Sequence, residues 1–143
     1  EMNLMKDRFF LDTNIIVYIF DKHSKQKNQI AQELLKEALQ SGTGVISFQV
    51  IQEFCNVALN KFKKPMSLSD CREFINRFLF PVCEVFPGME LYNTALDIRE
   101  KSGYNYYDAL IVAAALHSKC MIIYTEDMQD GANIMGVKIK NPF

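Results

Sequence analysis

The sequence predicts an α/β domain built around a parallel sheet of about five strands, and three observations carry that prediction. Short apolar runs recur along the chain: Phe9-Phe10-Leu11, Val45-Ile46-Ser47, Cys83-Glu84-Val85-Phe86, Met121-Ile122-Ile123-Tyr124 and Val137-Lys138-Ile139. Longer stretches with apolar residues at helical spacing separate them, and strands separated by helices pair in parallel through right-handed crossovers. One such stretch, Tyr107 to Leu116, is Ala-rich and apolar nearly all round, the pattern of a helix packed on a sheet.

A length of 143 residues with 49% hydrophobic and 12% aromatic content suits a single domain over residues 1–143 and excludes a disordered segment. No linker, repeat or low-complexity segment divides the chain. No apolar run reaches the roughly 18 residues of a membrane span, and the N-terminus shows no signal-peptide core, so the expectation is a cytoplasmic protein with no membrane partner. Glu1 and Met2 read as a ragged start. The net charge of -1 neither demands nor forbids nucleic acid, because it hides the distribution of charge.

Taken in order, Phe9-Phe10-Leu11 is the first strand, and Ile15 to Phe20 reads as a helix from its context more than from its β-branched residues. Lys22 to Lys27 is a basic connection. Ile30, Ala31, Leu34, Leu35, Ala38 and Leu39 then mark an amphipathic helix that Ser41-Gly42-Thr43-Gly44 stops. After the second strand, Ile51, Phe54, Cys55, Ala58, Leu59 and Phe62 share one face of a helix over 49–61, where Lys61, Lys63 and Lys64 complement the dipole and Pro65 prevents continuation. Ser67 to Asp70 offers caps for a helix over 71–80 that Pro81 closes. The third strand follows, then a helix from about Met89 to Lys101, the Ala-rich helix, and the last two strands.

Cysteines at 55, 71, 83 and 120 include no CxxC and read as reduced core thiols. His23 and His117 lack a second His or Cys at ligand spacing, so zinc has little support and any metal must be held by oxygen. Four acids suit that purpose. Asp12 ends the first strand, on the carboxyl edge where open α/β sheets bind ligands. Glu53 lies on an otherwise apolar helical stripe with Val50 and Val57. Asp108 falls in the first turn of the Ala-rich helix, and Asp127 directly follows the fourth strand. Carboxylates forced together repel unless a divalent cation neutralises them, and all-oxygen ligands select Mg²⁺ or Mn²⁺. Such an ion would support phosphodiester hydrolysis.

Phe10-Leu11-Asp12-Thr13-Asn14, Glu53 after the second strand, Tyr107-Asp108-Ala109-Leu110-Ile111 and Thr125-Glu126-Asp127-Met128-Gln129-Asp130-Gly131 together resemble the PIN domain family, and most closely its VapC-type toxin ribonucleases. The ordered set spans nearly the whole chain, although each motif alone is weak. The resemblance implies a three-layer α/β/α sandwich with Asp12, Glu53, Asp108 and Asp127 as the catalytic, metal-binding quartet. It also implies Asn14 and Thr125 as polar support, RNA as substrate, Mg²⁺ or Mn²⁺ as cofactor, an antitoxin partner and a homodimer. Asp130 is a rival for Asp127, because the last motif is the family's most variable.

Each acid also has a plainer reading. Asp12 and Asp108 could be helix N-caps, the more ordinary reading of Asp108 taken alone. Glu53 could pair with Lys61 or Arg72, and Asp127 and Asp130 could be turn residues. Tyr104, Tyr106 and Tyr107 read as packing residues. The lysines of 22–27 and 61–64 are ordinarily solvated surface; beside an RNA-cutting site they would be candidates for phosphate contacts. A phosphoryl-acceptor receiver domain would pair adjacent acids near the first strand and carry a late Lys-Pro, which this chain lacks. A dehalogenase-type phosphatase would need an acid where Asn14 stands. The remaining alternative is a catalytically silent or housekeeping PIN fold that binds or processes RNA.

Overall fold

The computed structural model describes residues 7–143, so the reading of Glu1 and Met2 lies outside it. Strands β1 (Phe9–Leu11), β2 (Gly44–Ser47), β3 (Cys83–Val85), β4 (Ile122–Tyr124), β5 (Asn133–Ile134) and β6 (Val137–Lys140) form one sheet in the order β3-β2-β1-β4-β6-β5. Every pairing is parallel except β5 with β6. The sheet is therefore mixed and has six strands, one more than the apolar runs indicate. Strand β5 escapes a pattern search because two residues carry no periodicity; Gly136, at φ +93°, turns it back onto β6.

Around the sheet lie α1 (Thr13–Tyr18), α2 (Lys25–Ser41), α3 (Phe48–Asn60), α4 (Leu68–Phe74), α5 (Met89–Ser102) and α6 (Tyr106–His117). Going from β1 to β2 to β3 the chain moves one way across the sheet, and from β3 to β4 it returns. Right-handed crossovers then place α1 to α4 on one face and α5 and α6 on the other. The packing agrees, since α1 touches α2 and α3 while α5 lies along α6.

Two elements depart from the sequence pattern by more than two residues. Helix α2 begins at Lys25, inside the stretch read as a basic connection, because Ser24 opens the helix and Asn28 binds the carbonyls of Tyr18 and Ile19 at 3.1 and 2.8 Å. The helix read over 71–80 is instead α4, capped by the Ser67 hydroxyl on the Asp70 amide at 3.0 Å. It passes into a π-helical turn (Ile75–Leu79) and a 3₁₀ turn (Phe80–Val82) around Pro81. Proline supplies no amide hydrogen, and its ring opposes the carbonyl one turn earlier, which accounts for the change of winding.

The core runs through the sheet. Phe10, Leu11, Ile15, Ile16, Val45, Ile46, Ile123 and Ile139 are all fully buried, as is nearly all of α6 from Ala109 to Ala115. Phe20, Phe54, Phe62 and Phe74 form a second aromatic cluster beneath α3 and α4, with ring centres 4.9 to 6.4 Å apart. Gly44 has no room for a side chain, since a Cβ there would fall on the Cβ of Ala38 and lie 2.6 Å from its Cα. The four cysteines are free thiols, three of them buried. Among the described residues no helix is long and apolar enough to cross a membrane.

Candidate active site

The strand order reverses between β1 and β4: the chain leaves β1 towards β2, whereas β4 pairs with the other side of β1. Loops leaving two such neighbours part to opposite faces and open a crevice at their carboxyl ends. Asp12 follows β1 there, and Thr125-Glu126-Asp127 follows β4.

Asp12 sits where strand becomes helix. Its amide donates to the Tyr124 carbonyl at 3.1 Å, prolonging the sheet, and its carbonyl accepts from Ile15 at 3.1 Å, opening α1. One carboxylate oxygen, Oδ1, accepts from the Thr13 amide at 2.7 Å, so Asp12 does cap α1. The other, Oδ2, accepts from the Thr125 hydroxyl at 2.8 Å. Capping therefore uses one oxygen of the group, and the other is held by the loop that follows β4. The residue is only 5% exposed. Burial pushes its carboxyl up to about 7, against the pull of the Thr125 and Thr13 hydrogen bonds and with a further push from the charges of Glu53 and Asp127.

Glu53 comes from the second turn of α3. Its Oε1 accepts from the Thr13 hydroxyl at 2.6 Å and its Oε2 from the Gln49 amide at 3.1 Å. No pairing of Glu53 with Lys61 or Arg72 is present among the described ion pairs; Lys61 stands at the far end of α3, roughly 12 Å along the helix axis from Glu53. Gln49 also donates to the Tyr107 carbonyl at 3.2 Å and so ties α3 to the start of α6.

At that start, the N-cap is Asn105 rather than Asp108: its Oδ1 accepts from the Asp108 amide at 2.9 Å. Asp108 occupies the first turn and receives the Asn105 side-chain amide on Oδ2 at 3.0 Å. Burial raises its carboxyl, the Asn105 contact opposes this, and the charges of Asp127 and Glu53 add to the rise. Asp127 is exposed and accepts from Asn14 Nδ2 at 2.9 Å. Asn14 also receives the Glu126 amide on Oδ1 at 3.1 Å and donates to the Thr125 hydroxyl at 3.2 Å, so it binds three consecutive residues of the loop. Asp130 is engaged elsewhere, its Oδ1 accepting from the Asn141 amide at 2.7 Å.

The structure thus gathers Asp12, Glu53, Asp108 and Asp127 near enough for their charges to act on one another, with Asn14 and Thr125 between them. It does not close them into a cage: as the side chains stand, no three of the described acids, histidines and cysteines could hold one ion together. No described ion pair neutralises any of the four, since the three present are Arg8 with Glu84, Lys27 with Glu126 and Arg77 with Glu73. Thr13, Gln49 and Asn105 are polar residues that sequence reasoning missed. Gln49 stands four residues before Glu53, the helical spacing at which an amide meets a carboxylate, and that signal could have found it. The link from Thr13 to Glu53 joins residues 40 apart and had no local signal. Tyr107, read as a packing residue, is instead 64% exposed beside Asp108.

A mostly parallel α/β sheet with acids near its switch point places the chain among α/β proteins whose candidate site lies at the carboxyl ends of the strands. The chain belongs to the PIN domain family, which matches residues 9–129 and whose members are in general ribonucleases. No curated protein sequence matches it. Solved structures share the fold. The DNA-bound VapBC of Salmonella typhimurium is 17% identical with a TM-score of 0.65, over 96% of this chain and 100% of that one. VapBC2 of Rickettsia felis, bound to a promoter DNA fragment, is 22% identical with a TM-score of 0.59, over 93% and 97%. VapC20 of Mycobacterium tuberculosis, described as a sarcin-ricin loop cleaving toxin, is 16% identical with a TM-score of 0.59, over 83% and 89%.

Proposed function

We propose that this protein is an endoribonuclease that hydrolyses RNA phosphodiester bonds with Mg²⁺ or Mn²⁺, and that it is the toxin of a toxin-antitoxin pair. In this reading it acts in the cytoplasm as a homodimer, and an antitoxin holds it inactive. The observation that carries the catalytic part is Asp12, a buried carboxyl pushed up to about 7 with no cation beside it among the described ion pairs. A buried acid without a counter-charge is costly, and a divalent ion bound there would remove that cost. All four candidate ligands are carboxylates, which fits a hard ion.

Asp12, Glu53, Asp108 and Asp127 would hold the ion. When bound, it would lower the pKa of water and offset the charge that develops on the phosphodiester. The protein's own residues prepare for this. Thr125 and Thr13 fix the Asp12 carboxylate, Thr13 and Gln49 fix Glu53, Asn105 holds Asp108, and Asn14 draws Asp127 inward. The toxin assignment draws support from the likeness in fold to VapC proteins.

A second reading, a catalytically silent or housekeeping PIN fold that binds or processes RNA, is favoured by two observations: the acids stand apart, and both oxygens of Glu53 are occupied by Thr13 and Gln49. The deciding experiment incubates RNA with purified wild type and Asp12→Asn, in Mn²⁺ and in EDTA, and follows growth of a host expressing each. Metal-dependent cutting and growth arrest by wild type alone are expected. Intact RNA in every lane, with soluble protein, would establish the silent fold.

A further inference from the structure

Among the four acids Asp127 is the exposed one, carried by a loop rather than by a strand end or a helix. On its inner side this loop is held by Asn14, and the Asp127 amide donates to the Thr125 hydroxyl at 3.1 Å. On the outer side the holding group is Glu126, whose carboxylate has both oxygens engaged: the Tyr18 hydroxyl donates to Oε1 at 2.6 Å and Lys27 Nζ to Oε2 at 2.6 Å. Lys27 Nζ lies 3.3 Å from the Tyr18 hydroxyl. It also stands 4.9 Å from the centre of the Tyr18 ring and 5.5 Å from that of Phe143, and these two rings pack edge to face at 4.9 Å.

The base of this assembly is rigid. Asn28, next to Lys27, bonds the carbonyls of Tyr18 and Ile19, which locks the start of α2 to the end of α1. An isolated surface ion pair contributes little, because solvent screens it and two long side chains must be ordered. Here the lysine is ordered by the rings of Tyr18 and Phe143 and by the Tyr18 hydroxyl, and the pair is about two-thirds covered, its side chains being 35% and 27% exposed. Glu126 drawn to Lys27 and Asp127 drawn to Asn14 leave the segment between them with little freedom to turn.

We propose that Lys27, acting through Glu126 with Tyr18, is a positioning residue that sets the Asp127 carboxylate towards the other three acids. The proposal rests on the metal-dependent reading above. It separates Lys27 from the other lysines of 22–27: Lys27 serves the protein's own loop rather than substrate phosphate.

The test compares wild type, Lys27→Met, Lys27→Arg, Glu126→Gln and the Lys27→Met/Glu126→Gln double variant. Each is measured for kcat and KM on single-stranded RNA with Mn²⁺, for melting temperature in EDTA, and for direct Mn²⁺ binding followed by the electron spin resonance of the free ion. Losing an outer partner of a metal site typically costs about 10- to 100-fold in affinity or activity. Lys27→Met and Glu126→Gln are expected each to lower kcat about tenfold and to weaken Mn²⁺ binding by a similar factor, with KM little changed. The double variant should be no worse than either single one, and Lys27→Arg should recover most of the loss.

A raised KM with normal kcat in Lys27→Met, or a Glu126→Gln variant as active as wild type, would overturn the proposal in favour of a phosphate contact. A lowered melting temperature with unchanged kcat and Mn²⁺ binding would reduce the assembly to a structural prop and overturn it too. Asp12→Asn serves as the control for the parent reading. If wild type and Asp12→Asn cut RNA equally, or neither cuts, that reading fails, and the Mn²⁺ binding arm still decides whether Lys27 positions the acids.

Discussion

Replacing Asp12 by asparagine should abolish activity and, in the absence of metal, make the protein more stable at neutral to alkaline pH. The reasoning starts from a folded-state pKa raised from 3.8 to about 7. Between those values the unfolded chain has already lost the proton that the folded protein still holds, so stability falls as pH rises and levels off above the folded value. A shift of about three units costs at most about 4 kcal/mol at pH 8, of which about 2.5 kcal/mol accrues between pH 5 and pH 8.

Asparagine removes this cost but introduces another. Its amide would face the Thr125 hydroxyl oxygen, which already accepts from Asn14 and from the Asp127 amide. One poorly satisfied donor costs about 2 kcal/mol, leaving a net gain of about 2 kcal/mol at pH 8 and nearly none at pH 5. For a chain of this size that corresponds to a melting temperature about 6 °C above wild type at pH 8. The assay is thermal unfolding in EDTA across this pH range, followed by circular dichroism, with Mn²⁺ then added at pH 8. At about 100 times its dissociation constant, bound Mn²⁺ should return about 2.7 kcal/mol to wild type and nothing to the variant. An Asp12→Asn protein less stable than wild type at pH 8 in EDTA would refute the argument, because it would mean that the carboxylate is stabilised where it stands.

Three further outcomes can be checked directly. RNA cleavage should vanish in EDTA, return with Mn²⁺ or Mg²⁺ and fail to return with Zn²⁺, since the ligands are hard oxygens; equal rescue by Zn²⁺ in a cleavage assay would contradict this. Asp127→Asn should lose at least about tenfold in cleavage rate, whereas Asp130→Asn should keep its activity and lower the melting temperature slightly, because Asp130 is bonded to the Asn141 amide and not to the crevice. Gly44→Ala should destabilise the fold by about 3 kcal/mol or more in urea titration, because the added methyl falls on Ala38 where α2 crosses β2, and backbone lies behind the clash.

Five of the six strands, most of the helices and the candidate acids are legible in the sequence, because each depends on short-range order. Apolar runs and helical spacing mark β1 to β4, β6, α2, α3, α5 and α6, and an acid at a strand end or on an apolar helical stripe stands out without any knowledge of its partners. Other features lie beyond such patterns. Antiparallel β5 is two residues long, too short to show a period, and Pro81 marks where the 71–80 helix stops without marking that its last turns wind as a π and a 3₁₀ turn. Which acids serve as caps also needed the fold. Asp12 caps α1 with one oxygen and accepts from the Thr125 hydroxyl with the other, while Asn105 relieves Asp108 of capping. Asp130 and Asp127 are equivalent in sequence, yet one is drawn to Asn141 and the other to Asn14, 113 residues away. The spacing of the acids, their mutual repulsion and the Lys27 assembly behind Asp127 arise only when four separated segments meet at the reversal of strand order. Burial, which raises the Asp12 carboxyl, is a property of that meeting and of no residue alone.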